Sequence, residues 1–269
     1  MKNKEPHITA IILAGGKSSR MGRDKATLSY NGTLFIDHII NTVSQITNTI
    51  LLISDHTEHQ SIHNVSLIKD IYPNKGPLSG VYTGLSHSKT NINLIISCDI
   101  PMIKDDVIQF LITNFNKNYQ AVIATVNDRK MPLVGIYTKD CISISKELIE
   151  KNDLKMMNFI DRLHSVNYIE IPDQMKEQLS NINTPQDIAL LSVHLKVYYF
   201  GQIAEITGCQ EESIVATKGS IVDLKNHIFK KYPTLKTASF RIAQNQQITN
   251  DTDIVTGEEI ALLPPFAGG

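Results

Sequence analysis

The stretch Leu13–Leu28, LAGGKSSRMGRDKATL, concentrates residue types that handle a polyphosphate. Gly15 and Gly16 let the backbone approach a ligand closely and present N–H groups to phosphate oxygens. Lys17, Arg20, Arg23 and Lys25 supply positive charge where phosphate charge must be neutralised. Spacing excludes two commoner phosphate motifs. A P-loop would need glycine at residue 11, which is Ile11, and the dinucleotide pattern GxGxxG fails because Lys17 stands at its second glycine. A nucleoside triphosphate site at the carboxyl end of a strand remains, the usual place for such ligands in a parallel sheet. A basic surface loop is the plainer alternative.

Two carboxylates recur at the ends of apolar runs. Asp99 follows Leu94–Cys98, where a carboxylate faces the ligand crevice and suits a hard Mg2+ that keeps waters and substrate phosphates as its other ligands. It could also cap a helix starting after Pro101. Asp70 follows Val65–Lys69, and its plainer reading is a turn aspartate. Gly76-Pro77-Leu78-Ser79-Gly80 has the chemistry of a turn entering a helix. His56, His59 and His63 form a further cluster; the last two are four apart and could share a metal on one helical face. No Cys or carboxylates converge there, which favours a solvated polar face.

These residues need elements to position them. Ile8–Leu13, Thr49–Ser54, Val65–Lys69, Leu94–Cys98, Ala121–Val126, Leu133–Thr138 and Val166–Ile171 read as strands. Leu34–Ile46, Pro77–Ser88, Lys104–Phe115, Asp140–Glu150 and Lys155–Leu163 read as helices between them. Such alternation predicts an α/β, Rossmann-like unit with a mostly parallel sheet and helices on both faces. From about His194 the pattern becomes α+β: strands at HLKVYYF and SIVAT, an amphipathic helix opened by Ser220 with Asp223 in its first turn and Lys230-Lys231 in its last, then strands at SFRIAQNQQIT and EEIALLP. The expected domains are 1–192 and 193–269.

Composition is that of an ordinary globular chain: 269 residues, 42% hydrophobic, 20% charged, net charge −1. Bulk charge gives no argument for nucleic acid or a membrane surface. The apolar run near the N-terminus is too short to span a bilayer. Three scattered cysteines with no CxxC suit a reducing cytoplasm and no disulfide framework.

The loop at Leu13, Gly15, Gly16, Ser18, Arg20, Met21, Gly22, Asp24 and Lys25 resembles the LxGGxSxRMGxDK signature of nucleotidyltransferases, and more narrowly the molybdenum cofactor guanylyltransferases. KDIYPNKGPLSGVYTGL (69–85), SCDIPMI (97–103) and NINTPQDI (181–188) extend the resemblance over residues 7–190. It implies GMP transfer from GTP to the terminal phosphate of molybdopterin. Catalysis falls to Lys25, Arg20 and Asp99, with Mg2+ on Asp99. Nucleotide and acceptor contacts fall to Leu13, Ala14, Gly15, Gly16, Lys25, Ser54, Asp70, Gly76, Gly80, Asp99, Asn181 and Asn183. Asp70 would accept guanine N–H donors, and the two asparagines would serve the acceptor side. One departure is Met131 before Pro132, where relatives often carry His, which leaves acceptor identity open.

Residues 194–269 resemble the small, sulfur-carrier subunit of molybdopterin synthase at VYYFGQIAEITG (197–208), LKNHIFKKYP (224–233) and GEEIALLPPFAGG (257–269). That implies a ubiquitin-like β-grasp fold. The terminal Gly269 would be adenylated and sulfurated to a thiocarboxylate by an activating enzyme, then received by the large synthase subunit. Pro264-Pro265 and Phe266 would stiffen the exit, and Phe200 and Leu262 would belong to an apolar docking face. A molybdenum insertion enzyme is a further expected partner. Two rivals stay open: a cytidylyl- or sugar-phosphate nucleotidyltransferase, and a degenerate enzyme domain serving as a carrier and interaction module.

Overall fold

The computed structural model describes residues 7–14, 29–30, 33–55, 65–182, 187, 192–217, 219–256 and 258–265. The sequence expectations at Gly15, Gly16, Arg20, Lys25, His56, His59, His63, Asn183, Phe266 and Gly269 lie outside the described residues. The chain divides into two compact units, Met1–Asn183 and Thr184–Gly269.

Unit 1 is built on a seven-stranded sheet. Its strands are β1 (Ile8–Leu13), β4 (Ile50–Ile53), β5 (Val65–Ile68), β6 (Ile92–Ser97), β7 (Ala121–Val126), β8 (Arg129–Thr138) and β9 (Val166–Glu170). A short hairpin, β2 (Ser29–Tyr30) with β3 (Thr33–Leu34), precedes the first helix. The order across the sheet is β5-β4-β1-β6-β8-β7-β9. All pairings are parallel except those of β8, which runs against both β6 and β7.

Helices α1 (Phe35–Ser44), α2 (Pro77–His87), α3 (Asp105–Thr113), α4 (Cys141–Glu150) and α5 (Met156–Asp161) cover both faces. Strand side chains alternate between the two. Ala10, Ile12, Leu52, Leu94 and Ile96 join a core with α1 and α3; Ile11, Leu13, Ile53 and Ile95 join the other with α2, α4 and α5. A sheet covered on both faces explains why β1, β4 and β6 read as near-continuous apolar runs rather than alternating ones.

The antiparallel β8 was only half visible in sequence, as Leu133–Thr138. The strand begins at Arg129 because Asn127 and Asp128 both take positive φ, 50° and 63°, and close a two-residue hairpin from β7. Pro132, which has no N–H to donate, sits where the β7–β8 register breaks. The fully buried Tyr137 donates its hydroxyl to the Pro132 carbonyl at 2.6 Å, and burial raises its pKa well above the ordinary tyrosine value. Asp99 caps no described helix, since α3 starts at Asp105.

Unit 2 comprises β10 (Ser192–Tyr199), α6 (Gln202–Thr207), β11 (Glu211–Thr217), α7 (Ile221–Lys231), β12 (Arg241–Gln244), β13 (Gln247–Ile248) and β14 (Glu259–Leu263). The sheet order β11-β10-β14-β12-β13, with the first and last strands parallel neighbours at its middle, is the β-grasp arrangement. Leu224 and Ile228 of α7 pack on Val197, Ile260 and Leu262. The start of α7 is fixed by a full capping box: Ser220 accepts from the Asp223 N–H, and the Asp223 carboxylate accepts from the Ser220 N–H at 2.8 Å. The short helix α6 adds an element that the sequence pattern does not predict. It lies between Gly201 and Gly208, both at positive φ. Leu262 departs from the docking-face expectation. It shares the inward side of β14 with Ile260 and is fully buried, whereas Phe200 is 48% exposed.

Helix α2 lies unusually close to β1. A Cβ on Gly84 would stand 2.3 Å from Ile11 Cγ2, and one on Gly80 would stand 3.1 Å from Leu13 Cδ2. These glycines are four apart and share one helical face. Gly84→Ala is expected to destabilise unit 1 by about 1–3 kcal/mol through this overpacking, read as a lowered midpoint in thermal or urea unfolding. An unchanged midpoint would show that the helix can lift off at no cost.

Candidate active site

The chain leaves β1 for β4 on one side and returns to β6 on the other. The β1/β6 boundary is therefore the switch point of the sheet, where loops diverge and leave a crevice at the carboxyl ends of the strands. Backbone bonds continue just past those ends. Ser54 N–H donates to the Ile68 carbonyl (3.1 Å), Ala14 N–H to Ile53 (2.9 Å) and Cys98 N–H to Leu13 (3.0 Å). Asp70, Ser54, Leu13-Ala14 and Asp99 are thereby brought to one edge of the sheet. Ala14 is the last described residue before the glycine- and cation-rich segment.

Asp99 is half-buried in the turn that ends β6. Its carbonyl accepts the Ile182 N–H at 2.8 Å, and among the described residues no side chain bonds its carboxylate. Those residues contain no group of three His, Cys, Asp or Glu side chains able to cage a metal by themselves. A hard carboxylate oxygen at the end of β6 has the donor chemistry of Mg2+, which takes one or two carboxylates and leaves the rest of its shell to water and phosphate.

Asp70 is held differently. Its Oδ1 accepts from the Ser79 hydroxyl (2.5 Å), the Thr83 hydroxyl (2.8 Å) and the Tyr72 N–H (3.2 Å). Ser79 and Thr83 are fully buried on α2 and were not singled out in sequence. Their four-residue spacing inside GPLSGVYTGL was the available signal. Gly76 caps α2 at φ 72°, a conformation glycine adopts without strain. Gly80 faces Leu13 and Ile53, so its missing side chain admits the sheet. Ser54 is buried at the end of β4.

Asn181 arrives on a strap that crosses from β9 to the Asp99 turn. After Glu170 the chain makes a 3-10 turn over Asp173–Leu179. There Lys176 Nζ reaches Glu170 (3.0 Å), Asp173 (2.8 Å) and Asn127 Oδ1 (2.7 Å). Gln178 accepts the Lys104 N–H and donates to Asp106. The strap closes on the Asp99 carbonyl through Ile182. Asn181 Oδ1 is enclosed and has no hydrogen-bond partner among the described residues, although buried acceptors are normally satisfied. Met131, on the opening half of β8, lies half-buried at the same end of the sheet.

Fold and site together define a nucleotidyltransferase. The chain belongs to the MobA-like NTP transferase domain family, whose model matches residues 10–166, and the ThiS family model matches residues 197–269, so the protein is a fusion. A probable molybdenum cofactor guanylyltransferase of Flavobacterium johnsoniae is 38% identical over 189 residues, covering 70% of this chain and 98% of the relative. One of Carboxydothermus hydrogenoformans is 30% identical over 196 residues, covering 71% and 97%. Among solved structures, the molybdopterin-guanine dinucleotide biosynthesis protein A of Archaeoglobus fulgidus superposes with a TM-score of 0.60 at 21% identity, covering 68% of this chain and 95% of that one. That likeness shows the fold. No helix among the described residues is long and apolar enough to cross a membrane.

The strap's anchor has a pH signature. The Thr125 hydroxyl, then the Lys176 ammonium and the Asn127 N–H, bond the Glu170 carboxylate and hold its pKa down at about 2, against an ordinary 4.5. A depressed carboxyl contributes stability that is fully present above the unfolded value and is lost as pH falls through the folded one. Wild type is expected to exceed Glu170→Gln in thermal midpoint by a constant margin above about pH 5, and the margin should shrink from about pH 4.5 toward 2. A margin independent of pH would show that Glu170 acts by shape alone.

Proposed function

We propose that unit 1 transfers a guanylyl group from GTP to the terminal phosphate of molybdopterin, and that unit 2 carries sulfur as a thiocarboxylate on Gly269. The reading is carried by one conjunction: a switch-point crevice with an Asp99 carboxylate that no described side chain bonds, in the same chain as a β-grasp unit whose ThiS match includes Gly268-Gly269. The names of the relatives support the guanylyl assignment. Residues 1–192 and 193–269 are the proposed functional domains.

Both substrates are anions, so the protein's work is neutralisation and alignment. Lys25 and Arg20 would clamp the triphosphate, with Gly15 and Gly16 offering backbone N–H groups. Asp99 would hold Mg2+, which when bound supplies further neutralisation of phosphate charge. Asp70 would contact the guanine, Ser54 and Leu13-Ala14 the nucleoside, and Asn181 and Asn183 the acceptor. An acceptor phosphate oxygen forms the new bond to the α-phosphorus as the α–β bridging bond breaks and pyrophosphate leaves. The attacking phosphate is already ionised and needs no general base.

In unit 2, a glycine end leaves the terminal carboxylate unobstructed and slim enough for a narrow channel. An activating enzyme would adenylate and sulfurate it, and the large synthase subunit would receive it, both in the cytoplasm. Exposed Phe200 is close in sequence to Gly201, where a Cβ would stand 3.2 Å from Pro264, so an apolar contact is available where the tail departs.

Asp99→Asn and Lys25→Ala are each expected to lower kcat for pyrophosphate release from GTP with molybdopterin by about 10²–10³. Preference for CTP, or for a sugar phosphate acceptor, would sink the guanylyl assignment. Deleting Gly269 should leave that turnover intact. It should abolish the oxygen-to-sulfur exchange seen by intact mass after incubation with activating enzyme, ATP and a sulfur donor. Absence of the exchange in wild type with competent partners would refute the carrier role.

A further inference from the structure

We propose that Ser79 and Thr83 are positioning residues for base selection: they occupy Asp70 Oδ1, so that the base is read through Oδ2 alone. The inference rests on the reading of Asp70 as a base contact. A carboxylate oxygen offers about two lone-pair sites. Oδ1 already receives three donors, from Ser79, Thr83 and the Tyr72 N–H. No capacity is left on it for a ligand. No described residue bonds Oδ2, and Asp70 is only half-buried.

The two hydroxyls do more than fill an oxygen. Thr83 Oγ1 also accepts the Ile71 N–H at 3.0 Å, and Ser79 Oγ lies 2.9 Å from the Tyr72 carbonyl. With the one Ser79 hydroxyl hydrogen committed to Oδ1, the turn is held to α2 through Asp70 and the Ile71 N–H. Helix α2 is in turn seated on β1 through Gly80 and Gly84, with Ile11 and Leu13 in the space their side chains would fill. The direction of Oδ2 is therefore set by a helix with no room to slide toward the sheet. A two-oxygen clamp on guanine, one oxygen each for N1–H and the 2-amino group, is unavailable. A single acceptor faces the base edge. Guanine presents N–H donors to it, whereas adenine, with a lone pair at N1, would oppose lone pair to lone pair. A site built to accept a hydrogen bond strongly disfavours a base that cannot give one.

The test uses the full-length protein and displacement of a fluorescent GTP analogue by unlabelled GTP or ATP in the presence of Mg2+. Wild type should prefer GTP. Ser79→Ala and Thr83→Val should each weaken GTP about tenfold while leaving ATP within about twofold, as expected when one hydrogen bond orienting an acceptor is lost. Thr83→Ser should restore the preference. Thermal midpoints taken alongside identify a variant that fails to fold. Ser79→Ala, which removes a single oxygen, carries the test if Thr83→Val does not fold. Unchanged GTP affinity in folded variants, or equal weakening of both nucleotides, would overturn the inference while Asp70→Asn still abolished the preference. A wild type without preference, or an Asp70→Asn variant that kept it, would instead remove Asp70 from base reading, and this inference with it.

Discussion

Parallel pairing of β1 with β4 on one side and β6 on the other is the constraint on which unit 1 depends. It places the reversal of strand order beside the strand that runs into the glycine-rich segment. It also brings Asp99 beside Leu13 through the Cys98 N–H, without any side chain having to specify that neighbourhood. Polar residues at the strand ends then occupy positions set by the backbone ladder, and a long apolar core on both faces holds the ladder in place. The site borrows its precision from the sheet.

Two straps fix what the sheet alone leaves loose. On one side, α2 presses glycines against β1 and uses its hydroxyls to hold the Asp70 turn. On the other side, the segment after β9 is tied to the β7–β8 hairpin by Lys176 and Glu170, and to the Asp99 carbonyl by Ile182. The first tie sets two buried hydroxyls on the Asp70 carboxylate. The second is made by exposed charges, which are screened by salt and protonated in acid.

Much of this was legible in sequence. Apolar runs ending in Gly, Asp or Ser marked the parallel strands, because burial on both faces leaves few polar residues inside them. Ser220 with Asp223 announced α7 because capping is a local interaction. What escaped was non-local or hidden in ordinary composition. Arg129 and Lys130 open a strand that charge disguised. Ser79 and Thr83 look like unremarkable small residues until the fold delivers Asp70 to them. Leu262 was assigned to a docking face, yet the pleat of β14 turns it inward, a parity that a five-residue strand leaves ambiguous until its partners are known. Asn181, by contrast, is expected near the site from the resemblance at NINTPQDI, and its neighbour Ile182 bonds the Asp99 carbonyl.

The last strand of unit 2 lies in the interior of its sheet, between β10 and β12. Tension on the C-terminal residues therefore enters a strand bonded along both edges, parallel to one neighbour and antiparallel to the other. Extracting it would require two ladders to shear together, whereas an edge strand would peel one bond at a time. The unit is mechanically suited to having its end gripped: a pull from outside is spread through the whole sheet before it can unravel any part of it.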